Sequence, residues 1–416
     1  MLRLHLLALA AVLSCRAQMN MPGMKMPATN MSGMNMSGML LMEQASGTSM
    51  NPQSWRMPMF MPRAGPWTLM FMGQAFVLDT QQAGPRGADK FYSTNWWMAA
   101  ATRSVGRGSL MVKAMLSLEP ATITNRRYPE LFQTGETAYG KPIVDAQHPH
   151  NFVMELSVSY ERPIGGGASL EIYAAPVGDP ALGPVAYPHR ASATELPQAP
   201  LGHHWQDSTH ISYDVVTAAI KRRRLRLEAS GFHGAEPGEN RWTIGHGPID
   251  SWSTRLSVFP TRNWMAQVSV GRLTHPEVLE PGDVVRSTAS IHYSRPMRGE
   301  SWSTSLIWGR NHDTFTHRDL HSYLAESVLP VPGRNFLTGR WELVDKDEIV
   351  PSGQVFRVSE YIAGFTHDLP NAIRGLETGI GANATAYGIP DSLRPLYGSH
   401  PWGVDVYLRI RLKPAH

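Results

Sequence analysis

From residue 67 onward the chain repeats one rule: apolar and polar side chains alternate, and the stretches that alternate are joined by connections that are in turn short and long. Residues 152–174 show the rule on two arms. On the first, Phe152, Met154, Leu156, Val158 and Tyr160 alternate with Glu155, Ser157, Ser159 and Glu161, with Val153 the one exception. After Arg162-Pro163-Ile164-Gly165-Gly166-Gly167 the second arm sets Ala168, Leu170, Ile172 and Ala174 against Ser169, Glu171 and Tyr173. A period of two is a strand signal because successive side chains point to opposite faces. The Pro/Gly cluster between the arms marks a turn.

About sixteen stretches qualify as strands: 67–79, 91–104, 109–119, 151–162, 168–176, 209–219, 223–234, 251–259, 264–273, 284–295, 300–310, 320–328, 335–344, 354–367, 373–387 and 402–412. Connections such as 105–108, 163–167, 260–263 and 296–299 are short. Those at 80–90, 120–150, 177–208, 235–250 and 388–401 are long. Short turns on one rim and long loops on the other predict an outer-membrane barrel. In lipid every backbone polar group must pair internally, which a closed sheet achieves. The fold class is therefore all-β: an antiparallel transmembrane β-barrel with an apolar outer face and a wet lumen, preceded by a disordered Met-rich N-terminal segment. Trp67, Trp96, Tyr160, Trp252, Trp264 and Trp302 are expected in interfacial girdles. A soluble propeller or sandwich is the competing architecture, and it explains the loop rhythm less directly.

The expected organisation is 1–17 signal peptide, 18–65 flexible periplasmic segment and 66–416 barrel. Met1–Ala17 has an early Arg3, an apolar run through Leu13 and a Cys15-Arg16-Ala17 cleavage site. Val12-Leu13-Ser14-Cys15 can also be read as a lipoprotein site acylated at Cys15. That is the only cysteine, so a chain cut after Ala17 has neither disulfides nor thiolate ligands. A formal charge of +4 gives no pull toward nucleic acid, and the run Lys221–Arg224 reads as a solvated turn. Past the leader there is no apolar run long enough for a spanning helix.

Thirteen methionines crowd the segment 18–62, among them Met19, Met21, Met24, Met26, Met31, Met34, Met36 and Met39. Their spacing is Met-x-Met or Met-x-x-Met, interrupted by Gly, Pro, Ser and Asn, and such a composition makes no core. Thioether sulfur is a soft, uncharged ligand suited to Cu(I) and Ag(I). Sulfurs two or three residues apart on a flexible chain can close around one such ion. Over about residues 19–61 this segment resembles the Met-rich leaders of the copper-resistance outer-membrane protein B family and of periplasmic copper oxidases. The resemblance implies copper as the bound metal, with periplasmic copper oxidases or efflux components as partners beside the outer-membrane lipid.

The histidines cluster in the long connections, most densely at Asp145-Ala146-Gln147-His148-Pro149-His150 and His203-His204-Trp205. Neutral imidazole binds Cu(II) and Zn, and a His-x-His pair on an extended chain can chelate. Asp145, His148, His150, His203 and His204 are thus candidate metal ligands, set against the plain alternative of polar loop residues. Such binding is expected to weaken as pH falls through 6 to 7, where imidazole ordinarily titrates. Loop 120–150 is long enough to fold into the barrel mouth as a constriction. No nucleophile elbow, phosphate loop or helical zinc motif appears, so no enzyme is expected. The function expected is copper or silver handling: the tail captures Cu(I), the barrel supplies a route or anchor, and loop histidines take Cu(II) or Zn. A general diffusion porin with an incidental tail, and a surface enzyme or adhesin carried on the long loops, are the alternatives.

Overall fold

Sixteen antiparallel strands close on themselves in the computed structural model, which describes residues 36–207, 212–370 and 375–412, all within the unit Met34–His416. In chain order they are β1 (Trp67–Ala83), β2 (Lys90–Val105), β3 (Gly108–Leu116), β4 (Val153–Gly165), β5 (Ala168–Gly178), β6 (Ser212–Arg222), β7 (Leu225–His233) and β8 (Ser251–Thr261). The second half runs β9 (Trp264–Leu273), β10 (Val284–Met297), β11 (Glu300–Asp313), β12 (Asp319–Val331), β13 (Asn335–Lys346), β14 (Phe356–Asp368), β15 (Leu376–Gly388) and β16 (Trp402–Leu412). Each pairs with its sequence neighbour, and β16 pairs with β1 from Trp402↔Ala83 to Arg411↔Gln74. That seam removes the last open edge, as a hydrocarbon surround requires. Every expected strand is present. The expected leader, 1–17, lies outside the described residues, as do methionines 19–34.

Alternation sorts the faces. Leu156 is 42% exposed while its neighbour Glu155 is 1% exposed. Leu116, Val258 and Leu408 likewise point outward, and Lys113, Arg255 and Arg409 inward. Trp264, Tyr293 and Trp302 form an aromatic group near the short-turn rim, with ring centroids 4.7 and 5.4 Å apart. Two residues break the expectation. Trp96 faces the lumen, edge-on to His189. Met154 does too: Met115 pairs with Glu155 and Leu116 with Val153, so Met154 is the extra residue of a bulge, which re-aims its side chain.

The lumen is filled, not wet. Residues 177–207 are buried throughout except for Pro188 and Thr194, which are half-buried. They cross the barrel interior and use the inward-facing side chains as hydrogen-bond partners. Backbone N–H groups of Leu201 and Gly202 donate to Glu342 at 3.0 and 2.9 Å, and Gly183 N–H donates to Ser269 Oγ at 2.8 Å. Irregular backbone inside a membrane barrel survives only with such satisfaction. The second filler is the N-terminal segment itself. After a short helix, α1 (Met36–Met42), residues 44–51 are buried. Lys113 Nζ donates to the carbonyls of Ala45 and Gly47 at 2.9 and 3.0 Å, and Gln44 reaches Glu171 at 2.8 Å. From Met36 on, the segment expected to be a flexible tether is therefore packed against the wall, its polar groups adding hydrogen bonds to the charged side chains of the lumen. The wall charges also pair with each other: Lys113–Glu155 at 3.0 Å, Arg226–Glu171 at 3.0 Å, Arg255–Glu228 at 2.8 Å and Arg340–Glu326 at 3.1 Å. Unpaired, each such ion would cost several kcal/mol.

The long connection expected at 120–150 spans 117–152 and packs inward at the long-loop end. It forms a hairpin, Tyr128–Ala138 with Lys141–Gln147. Leu131 and Phe132 pack with Leu201 and Trp205 of the interior segment and with Tyr397.

Candidate metal centre

The two histidine-dense stretches, fifty-odd residues apart in sequence, meet inside the long-loop mouth. His148 follows the hairpin, and His203 and His204 open a single helical turn, His203–Gln206, at the end of the interior segment. All three rings are buried, and each offers a donor atom within 4.8 Å of the others. His148 Nε2 and His204 Nε2 stand 3.3 Å apart. Two nitrogens about 2.05 Å from one ion at the tetrahedral angle would be about 3.3 Å apart. The His203 and His204 ring centroids are 4.0 Å apart, and those of His148 and His204 5.5 Å.

Backbone carbonyls orient two of the rings. His148 Nδ1 lies 3.2 Å from the Pro149 carbonyl and His203 Nδ1 lies 2.8 Å from the Pro200 carbonyl. A carbonyl can only accept, which favours the proton on both Nδ1 atoms and turns both Nε2 atoms toward the group, where the Gln147 amide also approaches His203 Nε2 at 3.4 Å. Metal-bound histidines are fixed in this way, by a hydrogen bond on the distal nitrogen. Glu136 Oε1 sits 3.0 Å from His148 Nε2, placing a carboxylate and a lone pair face to face. Such a contact is relieved by a proton or by a cation. Burial disfavours the proton: it lowers the His148 pKa to about 4, and it holds His204 well below its ordinary value, with the neighbouring His148 adding to the effect. The three histidines therefore fit a divalent ion of the Zn(II) or Cu(II) type, with Glu136, itself paired with Arg241, beside His148 at the edge of the group.

The remaining sequence candidates stand elsewhere. His150 does not chelate with His148; Pro149 turns the chain between them, and His150 Nδ1 is held 2.9 Å from Glu119 Oε2. Asp145 serves the fold: its carboxylate accepts from Phe132 N–H at 2.9 Å, from Tyr397 at 2.8 Å and from Arg86 at 3.2 Å. Of the candidate methionines, the structure describes Met36 and Met39, both on α1. Sequence reasoning missed Glu136 and Gly135. Their signal was present in the Gly-Glu pair of the hairpin, but nothing in the sequence says which loop glutamate turns inward.

No protein-family model and no curated protein matches the sequence. Among solved structures the chain is similar to an anion-selective porin from Comamonas acidovorans, with a TM-score of 0.50 and 11% identity over 83% of this chain and 100% of that one. It is also similar to OmpF of Salmonella typhi, with a TM-score of 0.50 and 8% identity over 84% of this chain and 100% of that one. At such identities the likeness is one of fold, and the fold is the closed antiparallel barrel that these outer-membrane proteins share.

Proposed function

We propose that this barrel handles copper, and silver with it, at the outer membrane, binding Cu(I) through the methionines of its N-terminal segment and Cu(II) or Zn(II) through His148, His203 and His204. The observation that carries the reading is the convergence of two distant histidine stretches on one buried point, two of the rings with Nδ1 tied to a backbone carbonyl. The resemblance of residues 19–61 to copper-resistance leaders supports the soft-metal half, and copper oxidases or efflux components are the partner class it implies. A general diffusion pore is disfavoured by the filled lumen, since a water-filled route requires residues 179–207 to leave it.

Metal titration of the folded chain in detergent tests both halves. Replacing His148, His203 and His204 by alanine is expected to abolish one equivalent of Zn(II) binding and leave Cu(I) uptake by the tail. Replacing Met19, Met21, Met24, Met26, Met31, Met34, Met36 and Met39 by leucine is expected to do the reverse. Zn(II) binding that survives the triple alanine change would reduce the histidines to loop structure.

A further inference from the structure

Inside the barrel six methionines lie on four adjacent strands and pack with α1: Met70, Met72, Met98, Met111, Met115 and Met154. Three form a row across the sheet, since Met72 pairs with Met98 and Met98 with Met115. Cross-strand neighbours on one face stand about 4.5–5.5 Å apart at Cβ, within reach of one another's thioethers. Leucine would fill such a row equally well, so packing alone does not select sulfur.

His189 supplies the second observation. It is 5% exposed, and neither ring nitrogen has a hydrogen-bond partner. Its one close neighbour of note is Trp96, edge-on with centroids 4.3 Å apart, which offers no acceptor to a ring nitrogen. Met115, Met154 and His189 line one closed cleft, with Glu155, Asp179 and Ser46 around them, and the cleft has no room for a water that could satisfy the imidazole. A buried polar group without partner or water is rare and calls for an occupant. Met154 reaches this cleft only because a bulge turns it inward against the alternation of β4, and bulges of that kind re-aim side chains beside functional sites. The nearby Glu155 is already committed to Lys113 at 3.0 Å, Tyr173 at 3.0 Å and Ser157 at 2.7 Å, and Asp179, the other carboxylate on the cleft, takes a hydrogen bond from Ser46, so the donors there without a partner are the imidazole and the thioethers.

We propose that His189, Met115 and Met154 form a second, soft-metal site inside the barrel, one that takes a monovalent ion of the Cu(I) or Ag(I) kind. The inference rests on the copper-handling reading but on residues separate from the histidine trio. Two thioethers and a neutral imidazole suit a soft d10 ion and reject Zn(II). Of the four remaining methionines of this group, Met72 and Met98 continue the row of sulfurs from this site along the wall, so a bound ion has soft neighbours to move to without being rehydrated.

The test uses the full chain, folded in detergent, with methionines 19 to 39 and the run Met57, Met59 and Met61 replaced by leucine so that the tail is silent. Ag(I) serves as an air-stable probe in equilibrium dialysis against a competing thioether. One Ag(I) per chain is expected to remain, with sulfur and nitrogen scatterers at the silver absorption edge. Met115→Leu with Met154→Leu, and separately His189→Phe, are each expected to weaken that binding at least 30-fold while Zn(II) uptake by the trio is unchanged. Silver affinity unaltered in both variants, no silver retained by the tail-silenced chain, or an edge spectrum without sulfur would each overturn the site. The spectrum is recorded on the chain with an intact lumen, so it decides even where a lumen variant fails to fold. Loss of silver with Zn(II) retained condemns this inference alone; loss of both from the tail-silenced chain condemns the histidine half of the copper reading as well.

Discussion

Gly135 lies so close to the His204 ring that a Cβ there would stand 2.3 Å from Nδ1, and its φ of +115° is one that other residues rarely adopt. Gly135→Ala must therefore push the ring off its position or bend the hairpin. We expect Zn(II) affinity to fall at least tenfold, about 1.4 kcal/mol, with the barrel still folded by gel mobility; unchanged affinity would show that His204 is not a ligand. The pH profile follows from burial as well. Only the neutral ring binds metal, and His148 is held to about 4, so affinity should stay level through pH 6 and fall only as pH approaches 5 and below. The decline at 6 to 7 expected for loop histidines applies to exposed rings, and the sequence does not reveal that these are covered. Burial has a cost of the opposite sense. The unfolded chain takes up a proton near 6.5 that folded His148 refuses, so the unfolded state binds more protons and metal-free stability declines as pH falls from about 6.5 toward 4. A thermal melt recorded across that range, compared with His148→Gln, checks the sign.

At the scale of elements, the strands were legible because period-two alternation is imposed by lipid on one side and by paired charges on the other. Residues 264–273 and 402–412 match the observed strands residue for residue. The interior segment was not legible. The connection 177–208 carries Pro, Gly and Ala with a few charges, which reads as an exposed loop; what buries residues 177–207 is complementarity with wall residues far away in sequence. Arg190 Nε reaches Glu326 Oε1 at 2.6 Å, and Ser192 donates to the same oxygen at 2.8 Å. Glu195 takes both Arg409 and Arg411. Such pairs cannot be read without knowing which strands face each other. They predict that Arg190→Met strands Glu326 and Asp207 partly uncompensated, at about 3–5 kcal/mol. The barrel ladders do not depend on Arg190, so the loss should appear as local opening. Amide exchange over 179–207 should accelerate by two orders of magnitude or more, with the strands unchanged. Uniform acceleration across the strands would mean that segment and barrel unfold together.

For the whole molecule, the filled lumen changes what an accessibility experiment reports. Cysteines at Lys113, Glu155, Arg255 and Arg409 would label readily in an open pore, yet all four positions are buried beneath the interior segments. A membrane-impermeant thiol reagent should therefore miss both these and the lipid-facing Leu116, Leu156, Val258 and Leu408. Deleting 180–206 should expose Arg409, which faces Glu195 of that segment, and raise single-channel conductance, while Lys113 and Glu155 stay covered by residues 44–51; labelling of the lipid-facing set would contradict the assignment of faces. The seam has a further consequence, for order of assembly. It joins β1 to β16, nearly the whole chain apart, and residues 44–51, which precede β1, lie inside the ring that the seam completes. Pairing so distant in sequence is the slowest contact to make. The earliest-synthesised part of the barrel unit must then wait beside unfinished strands, and the last strand to arrive shuts the wall around a passenger already aboard.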